Sequence, residues 1–260
     1  MGNWQIIWRI PLLVAAFALG NSSSSQAGGV FSFSEGTLAA QATFVQSGTT
    51  LTVTLENTSV FDVLNPGDVL TGVYFGIDNL YGAQLTPLAA YLSPGSSVLF
   101  GDDDHHGGHH GGHHDDDDWG DDDGGIGGEY GFRDDLLGIL PDISMVISAV
   151  DLDHLIGKSD LFPGDNLVGS KSPKGIDYGL LSLFDDSLTG DESVTGKSPF
   201  VSNSVVFELA GLPEDFVLDG NVSGVRFNYG SKFSPVPEPS TLVLMVFGGA
   251  ATFMRRRKPA

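Results

Sequence analysis

Cysteine is absent from all 260 residues. Neither a disulfide framework nor a thiolate metal site is available, thiol redox chemistry is excluded, and stability has to come from an apolar core and hydrogen bonding. Positive charge is nearly as scarce. Twelve lysines and arginines stand against 33 acids, and five of the twelve, Arg9, Arg255, Arg256, Arg257 and Lys258, lie near the two ends. Residues 28–238 keep seven cations against 33 acids, a formal charge of −26. Such a body repels phosphate backbones and anionic lipid, so nucleic acid is excluded as a partner and cations are the natural ones. The same charge keeps an exported protein soluble. Enzyme signatures are missing too: there is no Gly-x-Ser-x-Gly elbow, His-Glu-x-x-His pair, P-loop or dinucleotide fingerprint, and His154 is the sole histidine outside one tract. The chain reads as non-catalytic, with no cofactor required.

Long hydrophobic runs are confined to the ends. Arg9 closes a short leading region, residues 10–19 are apolar, and Ser25-Gln26-Ala27 places small residues at the usual cleavage positions. This is the layout of a secretory signal peptide over residues 1–27, delivered to the Sec translocon and cut after Ala27 by signal peptidase. At the other end, Pro237-Glu238-Pro239 precedes an uncharged segment over 240–254 and then Arg255-Arg256-Arg257-Lys258. The prolines fix φ and remove backbone donors, which presents Glu238 extended and unpacked. Four consecutive cations act as a stop that stays cytoplasmic. At about 1.5 Å per residue the 15-residue apolar segment falls short of a hydrocarbon core of about 30 Å, so it is a weak anchor. The membrane is met only through these terminal segments.

Pro237-Glu238-Pro239-Ser240-Thr241, the short apolar helix and the basic stop closely resemble the PEP-CTERM class of surface proteins of Gram-negative bacteria that make exopolysaccharide. The resemblance covers residues 235–260. It implies that an exosortase in the inner membrane cuts at or near the triplet, and that the body passes to the cell surface or extracellular matrix. The body also resembles an exosortase-dependent subgroup with a mostly β domain. That likeness runs through Val69-Leu70-Thr71-Gly72-Val73-Tyr74-Phe75, Gly127-Gly128-Glu129-Tyr130, Asp177-Tyr178-Gly179-Leu180, Ser204-Val205-Val206-Phe207 and Val225-Arg226-Phe227-Asn228-Tyr229-Gly230. No catalytic residues come with it.

Period-two alternation predicts strands at Phe31 and Phe33, over 50–55, through Val69, Thr71, Val73, Phe75 and Ile77, at Val205, Phe207 and Leu209, and at Val225, Phe227 and Tyr229. Turn residues at 46–48, 65–68, 93–96 and 219–221 separate them. The expected fold is all-β, an antiparallel β-sandwich or jelly-roll-like domain over 28–234. Residues 142–155 read either as a helix capped by Asp142, with Ile143, Ile147 and Val150 at helical spacing, or as a buried strand.

A low-complexity loop over 101–128 interrupts this domain. It carries His105, His106, His109, His110, His113 and His114, followed by Asp115, Asp116, Asp117 and Asp118; in all, six histidines and ten aspartates fall within 102–123. The tract has no apolar face and reads as a disordered exposed insertion. Neutral imidazole suits zinc, nickel or copper, and the carboxylates draw the cation in, so weak exchangeable binding is the chemistry this composition allows. A solvated loop expanded by repetition explains it equally well. Calcium fits less well: Asp115, Asp117 and Gly120 share an EF-hand register, but Trp119 and Ile126 stand where oxygen ligands are needed. Asp151-Leu152-Asp153-His154 and Asp185-Asp186 are further acidic spots, more easily read as solvated turns.

Three functions follow. One is a non-catalytic surface or matrix protein associated with exopolysaccharide, bridged by divalent cations, as in a biofilm. Another is a metal-buffering surface protein acting through the tract. The last is a carbohydrate-binding or carbohydrate-active sandwich with an aromatic platform drawn from Trp119, Tyr130, Tyr178 or Tyr229.

Overall fold

The computed structural model describes residues 25–99, 126–136, 142–150, 160–164, 179–186, 188–195, 200–231 and 236–237. The apolar segments at 10–19 and 240–254, the basic stop, the His and Asp tract, Trp119, His154 and Tyr178 lie outside them.

Three strands open the described chain: β1 (Ser25–Glu35), β2 (Leu38–Ser47) and β3 (Thr50–Asn57). Ala40, Ala42 and Phe44 of β2 and Leu51, Val53 and Leu55 of β3 point inward, while the alternate threonines of β3 stay half exposed, as a sheet with one covered face requires. Each hairpin closes with two residues, and Gly36 and Gly48 supply the positive φ of 62° and 59° that such tight loops demand.

The later strands are β4 (Leu70–Ile77), β5 (Thr86–Leu92), β6 (Ser97–Leu99), β7 (Gly131–Arg133), β8 (Met145–Ser148), β9 (Asp160–Leu161), β10 (Leu180–Leu181), β11 (Phe200–Ser202), β12 (Ser204–Ala210), β13 (Val222–Tyr229) and β14 (Val236–Pro237). One sheet has the order β1-β2-β3-β12-β5. In the other, β4 carries β13 along one side and β8 and β10 along the other, with β7 and β9 beyond β8, β11 and β6 beyond β10, and β14 on β13. All pairs are antiparallel except β10 with β11. Among the described residues the only helical turns are 3-10 turns at Pro66–Asp68 and Gly127–Glu129. The fold is nearly all β, with antiparallel sheets and a curled half-barrel.

One core joins the sheets. Phe44 meets Phe75 at 5.1 Å, Phe33 meets Phe227 at 6.2 Å, and Phe207 packs against Tyr130 at 4.9 Å and Phe162 at 5.2 Å. Each buried phenylalanine contributes about 1.5–3 kcal/mol, and each aromatic pair adds about 0.5–1.5 kcal/mol. β4 is buried at all eight positions, because Val73 and Phe75 face this core while Tyr74 packs with Leu136, Ile143 and Val146 on the opposite side. Alternation in its sequence therefore marks one of two covered faces.

Of the two readings of 142–155, the described part forms strand: Met145–Ser148 pairs with β4 and β7. Asp142 sits at φ 62° and caps no helix. Its carbonyl lies against Gly76 and Gly224, where an added Cβ would come within 2.5 and 2.2 Å, and Ser144 donates its N–H to the Phe75 carbonyl at 3.1 Å. Two missing side chains thus let this segment join the sheet. The expected loop over 101–128 is also too long at its end, since Ile126, Gly127 and Gly128 are buried. An added Cβ at Gly127 would fall 1.8 Å from the Pro163 carbonyl oxygen.

Candidate functional site

The two processing points meet the fold differently from the sequence-based expectation. The backbone of Ser25, Gln26 and Ala27 is paired with Ser47, Gln46 and Val45, and the register shifts between Ala27 and Gly29. The boundary expected after Ala27 thus falls inside β1, at a bulge. Gly28 is buried against Leu218, where a Cβ would lie 2.3 Å away. A peptidase acts on extended, unpaired chain, so cleavage at the expected bond would have to precede strand pairing.

At the other end, Val236 and Pro237 pair with Phe227 and Arg226. A proline that donates no hydrogen bond is tolerated on an edge strand. The first residue of the Pro-Glu-Pro triplet is therefore part of the sheet; Glu238, Pro239, Arg255, Arg256, Arg257 and Lys258 lie outside the described residues.

A second feature is built by two loops that share a pattern: Ser59-Val60-Phe61-Asp62 after β3 and Ser182-Leu183-Phe184-Asp185 after β10. In each, the serine Oγ accepts the phenylalanine N–H at 3.0 Å. Each aspartate then accepts the N–H that follows the other: Asp186 N donates to Asp62 at 3.0 Å and Val63 N donates to Asp185 at 2.8 Å. Ser182 Oγ donates to the Ser59 carbonyl at 2.7 Å, and Thr189 Oγ1 donates to Asp62. The loops are locked reciprocally, and the apolar residues between the serines and aspartates are left outside.

Burial, with the neighbouring Asp62 carboxylate, pushes Asp185 up to about 7. Asp62 goes the other way: against slight desolvation, which raises it, hydrogen bonds from Thr189, Asp185 and the Asp186 N–H hold it below the ordinary carboxylate value. Because the folded state holds the Asp185 proton more tightly than the unfolded chain, its stabilising contribution is complete below about pH 4 and is lost as pH rises through about 7. Asp62 contributes in the opposite sense, losing stability as pH falls. Between pH 8 and pH 5 the wild type is expected to gain about 1–2 kcal/mol from Asp185, a value reduced for its half exposure. Urea melts at both pH values check this. Asp185→Asn should remove the gain, and an unchanged difference between the two pH values would show that another group carries it.

Beside these loops lies a small cleft lined in part by Thr37, Asn57, Ser59, Asp62, Asp68 and Tyr229. Its volume is about 10 Å³, room for one water-sized group. Tyr229 is 9% exposed, and its hydroxyl has no hydrogen-bond partner among the described residues. Burial, then the Asp68 charge, push the phenol up, so it stays a neutral hydroxyl able to donate or accept a hydrogen bond.

Other expectations find less support. Tyr130, 1% exposed and packed on Phe207, and Tyr229 offer no face to a sugar, which removes the described half of the aromatic platform. Among the described residues no group of three or more histidines and acids could hold a metal ion, and Asp185-Asp186, expected as a solvated turn, is engaged in the loop lock. The six histidines and Asp115, Asp116, Asp117 and Asp118 lie outside those residues. No helix among the described residues is long and apolar enough to cross a membrane. The sequence reading missed Phe61, Phe184 and Leu188 as exposed side chains, although the repeated Ser-apolar-Phe-Asp pattern was there to be noticed.

No curated protein and no solved structure matches the chain. A family model does match, the PEP-CTERM protein-sorting motif, over residues 235–258. That stretch begins beside β14 and runs through the triplet, the apolar segment and the four cations, so the chain carries the PEP-CTERM sorting motif, which indicates an exported protein targeted to exosortase.

Proposed function

We propose that this chain is a non-catalytic surface or extracellular-matrix protein, released by exosortase and held in exopolysaccharide through bridging divalent cations. The sorting motif at 235–258 is the observation that carries this reading. Support comes from the −26 charge of residues 28–238, which repels anionic glycans directly and favours contact through cations. Residues 1–27 serve as the signal peptide, and the β-rich body over residues 28–234 is the released cargo. Fractionation of the native host, with mass spectrometry of the C-terminus, tests it. The expected product is found in the surface or matrix fraction and ends at or near the triplet; a released protein that retains Arg255–Lys258 overturns the reading.

A metal-buffering role for the tract is the second reading, favoured by six histidines and ten aspartates within 102–123. Calorimetry with zinc and nickel on the full chain and on a chain lacking 102–123 decides it. The deletion is expected to abolish plural weak binding, and binding should weaken in acid as the imidazoles protonate. Equal affinities in both chains would remove the tract from metal chemistry.

A further inference from the structure

We propose that the pole formed by residues 59–64 and 182–191 is a docking surface for a partner polypeptide that presents a lysine between apolar side chains. This inference does not depend on the exopolysaccharide reading. Val60, Phe61, Leu64, Leu183, Phe184 and Leu188 are all exposed there, Phe184 by 65% and Leu188 by 77%. They account for six of the ten large exposed apolar side chains among the described residues. An apolar cluster held outward by reciprocal hydrogen bonds is a pre-organised contact, and such patches mark interaction sites.

The charge selects the partner. Asp62, Asp68, Asp185, Asp186, Asp191 and Glu192 lie in or beside these loops, and neither loop contains a lysine or arginine. A second copy would bring the same acids face to face, and a membrane would bring anionic lipid; complementarity calls for a basic residue. The cleft between Asp62 and Asp68 refines this choice. Its single water-sized space, with Tyr229, whose hydroxyl is unpartnered among the described residues, in its lining, fits a compact ammonium and is too small for a planar guanidinium or a sugar ring. Along β14 the chain runs from Val236, opposite Phe227, to Pro237, opposite Arg226, and so heads away from the Tyr229 end of β13, where this pole lies.

The test uses the full chain in detergent and a dye-labelled peptide with one lysine centred in a run of leucines, read by fluorescence anisotropy. Saturable binding is expected, weaker by about tenfold for Tyr229→Phe, Asp68→Asn or Phe184→Ser and for a peptide with arginine or norleucine in place of lysine. Tyr229→Phe keeps the ring that packs on Phe33 and removes only the hydroxyl, and Phe184 is exposed, so melting of these variants should match wild type. Binding unchanged by all three substitutions assigns it to diffuse negative charge and overturns the proposal. So does an absence of saturable binding, equal affinity for the norleucine peptide, or self-association through this face in sedimentation without peptide.

Discussion

Replacing Pro237, Glu238 and Pro239 together with alanine is expected to leave the precursor uncut and cell-associated. Alanine restores backbone donors and rotational freedom at both proline positions, so the triplet loses the extended geometry a processing enzyme selects. It also removes the carboxylate that is the only charge between Lys232 and Arg255. The body should still fold, because β14 contributes just two residues to the sheet. Immunoblots of membrane and released fractions, with intact-mass measurement, give the answer. A variant released with the same C-terminus as wild type would place the cut elsewhere.

Phe207→Ala should cost about 3–5 kcal/mol. Phe207 has no exposed surface and sits on β12 between Tyr130 and Phe162, rings contributed by segments that follow the low-complexity insertion. Truncation opens a cavity and breaks two aromatic contacts at once, in a domain whose whole stability is on the order of 5–15 kcal/mol. Phe207→Leu keeps most of the volume and should lose far less. Phe184→Ala, at an exposed loop position, should stay within about 0.5 kcal/mol of wild type. Urea melts rank the three. A loss at Phe207 no greater than at Phe184 would mean that the segments after the insertion are not packed on β12.

The strands legible in the sequence were those whose apolar residues recur at period two. In β3 and the Phe31-to-Phe33 part of β1 one covered face makes burial alternate, and in β4, β12 and β13 the rhythm persists although much of the strand is buried on both faces. β2 was not legible, because Ala40 and Ala42 fill the inward positions with side chains too small to register as apolar alternation. The choice between helix and strand over 142–155 could not be made locally. It is settled by Gly76 and Gly224, far away in sequence, which make room for the Asp142 carbonyl. The sorting motif was plain because its parts are contiguous, whereas the loop pole is assembled from segments 123 residues apart, joined by hydrogen bonds that composition does not reveal. The boundary placed after Ala27 met a paired strand for a similar reason: small residues satisfy a peptidase and a bulged β-edge alike.

The pairing of Pro237 with β13 also sets how much leash the body has. If the cut falls at the triplet, whose first residue lies on the rim of the sheet, little slack chain would separate cargo from cutter. An enzyme working there must either grip the rim itself or first peel away two residues. Lengthening the spacer ahead of the triplet would show which, through the rate at which cargo comes free.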